Sequence, residues 1–232
     1  MGRPRVVTPY QSPSPGDSRP LAEELLLLCA EPTRGLLRIP GTTFPTAITG
    51  AVLAELQLRG AITVEGRRIT GFHPLGDHDE LAARVLAELE RAGKNQHRAT
   101  LDHVLRRVPH RTDPQYYLDR LTGQGVLTVR THRFLGLPYR RWTAVPPDAG
   151  ALIAERVAAT LARTAVSGPT SPAEERDHQL AGLIGAVRLE YRIYRGTAGT
   201  PTRRAVRRLS RSLPVAHAVK QAVARRTAAA SG

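Results

Sequence analysis

Most of the chain carries the spacing of apolar residues that is typical of amphipathic helices. In residues 46–59, Ile48, Val52 and Leu56 recur at intervals of about one helical turn. Similar patterns, bounded by Pro, Gly and capping residues, predict further helices. These cover residues 21–30, 77–93, 100–108, 113–122, 151–164 and 174–194. The four consecutive leucines at 25–28 predict that the first helix is buried on most sides.

Two segments depart from the helical pattern and predict β-hairpins. Residues 61–72 alternate around Glu65-Gly66, a pattern that favours a tight turn. The second hairpin pairs residues 126–130 with 139–145 around an apolar tip. A short strand at 36–39 and a loop at 40–45 precede the second helix, since two prolines and a glycine oppose regular structure there. The predicted fold class is mainly α, a single helical domain with two small β-hairpins.

The ends of the chain differ in composition from its middle. Residues 1–18 are rich in Pro, Ser and Gly and predict a disordered tail, while 19–200 form the helical domain. Residues 201–232 make a basic C-terminal segment without any acidic residue. Its arginines and its apolar residues fall on two sides of a helix, which suits an anionic membrane surface. A solvated, partly disordered tail is the alternative, and Pro214 favours it by interrupting the pattern.

Charge narrows the choice of partners. The formal net charge is +14, carried almost wholly by arginine because Lys94 and Lys220 are the only lysines. Such a chain attracts polyanions, either nucleic acid or an anionic membrane. Cys29 is the only cysteine and can form no internal disulfide, which agrees with a reducing compartment. No stretch approaches the roughly 20 apolar residues of a membrane span, so we expect a cytoplasmic protein that is peripheral on the inner face of the membrane.

The sequence offers no convincing catalytic constellation. It contains no GK[ST] phosphate loop, no HExxH and no GxSxG. His73 and His78 lack a third metal ligand nearby, and Asp77 and Asp79 suit helix capping better than acid–base work. Cys29 lies among leucines, where a thiol stays protonated. We therefore expect no enzymatic activity, no metal site and no cofactor.

The tip of the second hairpin combines apolar and cationic residues. The apolar residues are Phe134, Leu135, Leu137, Pro138 and Tyr139, and the arginines that flank them are Arg133, Arg140 and Arg141. Such a tip could insert into the membrane interface while its arginines hold phosphates. It could equally pack on the protein's own core or on another copy of the chain, which would make it a membrane-insertion or an oligomerisation element.

A winged-helix nucleic-acid-binding protein is the alternative from another class. Helices followed by the hairpin at 125–145 fit that arrangement, with residues 116–120 on the recognition helix. Against it, that helix carries Asp113 and Asp119 and few side chains that could read bases. The tip of a wing also normally contacts a sugar-phosphate backbone, which an apolar tip does not suit. Nucleic acid is therefore the less favoured partner.

Several blocks of the sequence resemble the Golgi phosphoprotein 3 (GPP34) family in its actinobacterial form. They are residues 21–28, the Glu-Leu-Gln-Leu-Arg-Gly block at 55–60, residues 75–81 and 121–127, and the hairpin at 134–142. The resemblance implies a predominantly helical domain that binds phosphatidylinositol 4-phosphate on the cytoplasmic face of Golgi membranes in eukaryotes. It also implies that the hairpin aids membrane insertion or self-association.

The resemblance also implies a headgroup pocket. In eukaryotic members a Trp and three Arg line it, and these positions fall here on Pro40, Thr49, Arg111 and Pro114, so that Arg111 alone keeps the family's residue type. The neighbouring Arg38 and Arg107 extend the set. We expect Arg111, Arg38, Thr49 and Arg107 to form a site for an anionic phospholipid headgroup. The lipid is left open among phosphatidylinositol 4-phosphate, phosphatidylinositol, its mannosides and cardiolipin.

Overall fold

The predominantly helical architecture is confirmed by the computed structural model, which describes residues 19–31, 35, 37–73, 80–93, 99–108, 115–134 and 137–230. The helices are α1 (Leu21–Cys29), α2 (Phe44–Leu58), α3 (Glu80–Gly93), α4 (Leu101–Arg107), α5 (Gln115–Gly123), α6 (Ala149–Arg163), α7 (Pro172–Ala186), α8 (Glu190–Ile193), α9 (Thr200–Ser212) and α10 (Pro214–Ala230). Two antiparallel hairpins accompany them, β1 (Ile62–Glu65) with β2 (Arg68–Phe72) and β3 (Leu127–Phe134) with β4 (Leu137–Ala144).

Helix α1 lies at the centre of the hydrophobic core. Every residue from Leu21 to Cys29 is buried, which confirms the prediction drawn from its four leucines. It packs against α2, α6 and α7. A helix that is apolar on most sides must be surrounded by other helices, because any exposed face would leave leucine side chains in water.

Three predicted element boundaries were wrong. Helix α2 begins at Phe44 within the predicted loop, because Pro45 occupies its first turn, where a missing N–H costs nothing. The predicted helix at 174–194 is broken between α7 and α8, where Arg188 takes a left-handed φ of 58°. Instead of a strand at 36–39, an isolated bridge pairs Leu37 with Ala30. The residue Leu36, the tail at 1–18 and the Asp77 cap lie outside the described residues.

The second hairpin is longer than its pattern predicted. Its strands extend into the apolar stretch, pairing Arg133 with Pro138 and Phe134 with Leu137. The stretch that was interpreted as a turn is therefore mostly strand. The base of the hairpin is attached to the loop after α1, because the Trp142 N–H donates to the Gly35 carbonyl at 2.7 Å.

The described part of the basic C-terminal segment is helical and packed. In α10, Val215, Ala216 and Val219 are completely buried, and the helix packs against α2, α4, α7 and α9. In α9, Val206 is buried while Arg204 and Arg208 are exposed, as the two-sided pattern predicted. The apolar side of this segment is thus covered by the protein itself.

Ion pairs join α1, α2, α6 and α7 beneath the surface. The Arg156 guanidinium contacts Asp177 at 2.9 Å and Glu24 at 2.8 Å. Arg176 contacts Glu55 at 2.9 Å. Because Glu24 and Asp177 are buried, these charges need their partners to offset the cost of leaving water. Among the described helices, none is both long and apolar enough to cross a membrane.

Candidate functional site

Helix α4 presents two arginines at its C-terminal end. Its start is fixed by Thr100, whose hydroxyl accepts a hydrogen bond from the His103 N–H at 3.2 Å. Seven residues later the helix ends with Arg106 and Arg107, both exposed. The Arg107 Nε lies 3.9 Å from a Glu88 carboxylate oxygen on α3, a contact too long to neutralise it fully.

The C-terminal part of α10 places two more arginines beside the first turn of α4 and the loop before α2. Arg225 donates to the Asp102 carboxylate of α4 at 2.9 Å. Arg226 donates to the carbonyl of Thr42, in the loop before α2, at 3.3 Å. Arg67, in the turn of the first hairpin, also pairs with Asp102. These contacts place Arg67, Arg225 and Arg226 around the first turn of α4, and Arg106 and Arg107 follow about one turn later on the same helix. The set is here called the α4–α10 surface and is made of Arg67, Arg106, Arg107, Arg225 and Arg226.

The carboxylate at the centre of this surface holds arginines in place rather than cancelling them. Partial burial by itself would raise the pKa of Asp102, but hydrogen bonds from Arg67 and Arg225 outweigh it and lower the pKa. Asp102 is therefore ionised at neutral pH and shared between two guanidiniums. Arg106 and Arg107 stay exposed beside them, so the surface keeps a net positive charge.

Of the four sequence-predicted site residues, the structure describes Arg38, Thr49 and Arg107, and these three have different surroundings. The Arg38 N–H donates to the Cys29 carbonyl at 2.7 Å, and its side chain reaches the Leu28 carbonyl at 3.4 Å. Burial is the main cause of the lowered pKa of Arg38. The positive charges of Arg195 and Arg192 lower this pKa further, whereas the negative charge of Glu31 raises it. Arg38 thus belongs to the neighbourhood of α1 and α8, whereas Arg107 lies against α3.

Thr49 lies inside the protein. Its side chain is completely buried in α2, and its hydroxyl donates to the Pro45 carbonyl at 2.9 Å. In this arrangement it cannot touch a ligand at the surface. Arg111 lies outside the described residues, so the one position that keeps the family's residue type has no structural account.

The hairpin tip is described only by its backbone. Phe134, Leu137, Pro138 and Tyr139 lie in the paired strands, and Leu135 lies outside the described residues. Nearer the base, Val129 is exposed. Within the described part of the chain, no three His, Cys, Asp or Glu residues are placed to hold a metal ion.

Sequence reasoning missed Arg67, Arg225 and Arg226. Arg67 is far from the other two in the chain, and only the packing of α10 along α2 and α4 brings Arg225 and Arg226 near it, at the first turn of α4. The signal that could have found two of them is the apolar stripe of α10, Val215, Val219 and Ala222, which marks a core-facing helix.

Comparison with protein families gives one match. The family model Golgi phosphoprotein 3 (GPP34) matches residues 21–226. The chain belongs to the GPP34 family. The match confirms the resemblance seen in the sequence, extends from α1 into α10, and ends at Arg226 of the α4–α10 surface. GPP34 is not in general a family of enzymes. Comparison with curated proteins gave no match.

Proposed function

We propose that this GPP34 member is a peripheral membrane protein that binds anionic phospholipid headgroups through the α4–α10 surface. The observation that carries the proposal is the packing of Arg225 against Asp102 in the first turn of α4 and of Arg226 against the loop before α2. The family resemblance assigns headgroup-pocket positions to Pro40, which lies in that loop, and to Arg111, four residues after α4 in the chain. Membership of the family supports the same conclusion.

Arginine is well suited to this role. Its planar guanidinium offers five donors and can hold a phosphate with two parallel hydrogen bonds. Near an anionic membrane each well-placed cation contributes about 1 kcal/mol. Such contacts are open to Arg106 and Arg107, which are exposed, and to Arg225, which Asp102 holds in place.

Phosphatidylinositol 4-phosphate is the lipid that the family resemblance favours. This chain replaces the pocket's Trp with Pro40 and two of its three arginines with Thr49 and Pro114. Arg67, Arg225 and Arg226 supply cations from other elements, which makes the site broader and less selective than a single pocket. We expect binding to phosphatidylinositol 4-phosphate together with other anionic lipids.

The hairpin tip is the second element of the proposal. Phe134, Leu135, Leu137, Pro138 and Tyr139 would either insert between lipids or join a second copy of the chain. The protein would thereby dock on the inner face of the membrane from the cytoplasm.

Sedimentation with liposomes tests the proposal. Phosphatidylcholine vesicles are compared with vesicles carrying phosphatidylinositol 4-phosphate and with vesicles of equal charge carrying phosphatidylserine. We expect both anionic vesicles to bind the protein, with a modest preference for the phosphoinositide. In the double variant Arg107→Gln with Arg225→Gln, the loss of two cations should weaken binding by about 2 kcal/mol, roughly thirtyfold.

Arg163→Gln is the matched control, because Arg163 is an exposed arginine on α6. It should bind like the unchanged protein. Equal binding by the double variant would contradict the α4–α10 surface. A duplex DNA competitor at physiological salt tests the nucleic-acid-binding alternative. Binding to DNA but to none of the vesicles would replace the lipid hypothesis with the winged-helix one.

A further inference from the structure

The break between α7 and α8 places an arginine in a strained conformation. Helix α7 ends in a Schellman motif, in which the Arg188 N–H donates to Gly185 at 3.3 Å and the Leu189 N–H donates to Ile184 at 3.0 Å. Arg188 has a φ of 58°, a value that glycine adopts freely and that a side chain with a Cβ resists. Strain of this kind concentrates at functional sites. The positive φ therefore makes Arg188 a candidate functional residue.

Three more cations converge on the same place. Arg188, Arg207 and Lys220 all lie close enough to Glu190 to act on its pKa. The pKa of Lys220 is lowered mainly by burial. The positive charges of Arg211, Arg188 and Arg207 lower it further, so these residues lie near Lys220 as well. The four residues come from the α7–α8 break, α9 and α10. They are here called the Arg188 cluster.

Hydrogen bonds hold two of the four cations in place. The Arg207 guanidinium donates to the Tyr191 hydroxyl at 3.1 Å and lies 5.8 Å from the centre of that ring. The Lys220 ammonium donates to the Ser210 hydroxyl at 3.4 Å. Tyr191 is 56% exposed, so its hydroxyl can donate to a ligand while it accepts from Arg207.

The charges of the cluster are poorly compensated. In the ion-pair network of α1, α6 and α7, the single guanidinium of Arg156 contacts two carboxylates within 3 Å, those of Glu24 and Asp177. In the Arg188 cluster, Arg188, Arg207 and Lys220 act on one carboxyl, that of Glu190, which is the only acidic residue from position 188 to position 232. Glu190 is 2% exposed, and burial raises its pKa despite the surrounding cations. An anion bound from the solvent side would relieve the repulsion among the four.

We propose that the Arg188 cluster is a phosphate-binding site, distinct from the α4–α10 surface, that takes a phosphate monoester or free phosphate. The exposed Arg188 and Arg211 supply guanidiniums from the solvent side. The Arg207 guanidinium is held by the Tyr191 hydroxyl, and Lys220 supplies a point charge from α10. Guanidiniums match phosphate oxygens two at a time, which a dianionic phosphate exploits better than a singly charged diester.

Calorimetric titration with inorganic phosphate at constant ionic strength tests the site. We expect saturable binding by the unchanged protein. Arg211→Gln removes one charge-assisted donor and should weaken binding about tenfold. Arg188→Gly removes the guanidinium and also relieves the backbone strain, so it should lose phosphate binding while its Tm stays equal or rises.

Arg204→Gln is the matched control, an exposed arginine on the same helix α9 that should bind phosphate normally. Absence of saturable binding by the unchanged protein would overturn the proposal. So would equal binding by Arg188→Gly and Arg211→Gln, because the phosphate would then bind elsewhere.

Vesicles separate the two sources of the phosphate. Phosphatidic acid carries a phosphate monoester, and phosphatidylglycerol carries a diester. If a lipid headgroup is the ligand, Arg188→Gly and Arg211→Gln lose the preference for phosphatidic acid. If free phosphate is the ligand, calorimetric binding is lost in both variants while vesicle binding is unchanged. Either result supports the site, and neither depends on Arg107 or Arg225, which carry the proposed docking to anionic lipid.

Discussion

At the scale of single residues, burial decides chemistry. Cys29 is the one cysteine of the chain, and in α1 it is buried among leucines. Burial raises its pKa from 9.0 to about 12, and the charge of Arg38 only partly opposes this. A thiol in this setting is a small apolar side chain rather than a nucleophile.

The buried thiol makes the protein sensitive to alkaline pH. Since the unfolded thiol ionises near pH 9.0 and the folded thiol near pH 12, Cys29 contributes stability that is present below pH 9 and is lost progressively as pH rises toward 12. Urea unfolding at pH 8 and at pH 10.5 should show this fall in the free energy of unfolding. Cys29→Ala should reduce the fall without removing it, because burial also raises the pKa of Tyr194. An identical fall in the variant would contradict this origin.

At the scale of elements, small residues set how closely the helices approach. A Cβ added at Gly50 of α2 would lie 2.2 Å from a methyl carbon of Val219 on α10. At Gly185 of α7 it would lie 2.8 Å from the Val206 carbonyl oxygen of α9. The helices therefore meet almost backbone to backbone, which leaves no room for a larger residue.

Gly50→Ala should destabilise the protein although alanine is the better helix former. The gain in helix propensity is about 1 kcal/mol, whereas overpacking against Val219 costs about 1–3 kcal/mol. We expect a net loss of up to about 2 kcal/mol in chemical denaturation. Adding Val219→Ala removes the methyl carbon and should recover part of the loss in a double-mutant cycle.

Gly123→Ala is the control for helix propensity. Gly123 ends α5, and an added Cβ there meets nothing within 4 Å. It should be neutral or slightly stabilising. A Gly50→Ala variant as stable as the Gly123→Ala one would mean that α2 and α10 can move apart at no cost.

At the scale of the whole molecule, charge is spread in a way that favours docking on anionic surfaces. The formal net charge is +14. Residues 201–232 hold eight of the cations and no acidic residue. The apolar side of α9 and α10 is buried, and their exposed side carries the arginines. These two helices can therefore contact a membrane by charge but have no apolar face left to insert.

Docking should consequently depend on salt. Exposed charges are screened within about 10 Å at 0.1 M salt and within about 3 Å at 1 M. Binding to phosphatidylserine vesicles, measured by sedimentation, should fall at least tenfold between 0.1 M and 0.5 M sodium chloride. Binding that does not change with salt would contradict charge-based docking and would point to insertion of the hairpin tip.

The sequence predicted much of the fold because the patterns are local. The leucines of α1, the alternation around Glu65-Gly66 and the N-cap Thr100 each act on residues a few positions away. The break at Arg188 was missed because arginine gives no sign of a left-handed φ. The headgroup site stays a prediction, since Arg111 lies outside the described residues, and only packing shows that Thr49 is buried.

By itself, the sequence determined the helical class, the two hairpins, the excess of arginine and the resemblance to GPP34, because these follow from periodicity, composition and short motifs. Only the tertiary structure decided which arginines meet. Arg225 pairs with Asp102 across 123 positions, and the packing of α10 on α7 and α9 brings Lys220 close enough for the charge of Arg188 to act on it. The long-range packing of apolar faces places these charges, and that packing cannot be derived from spacing along the chain.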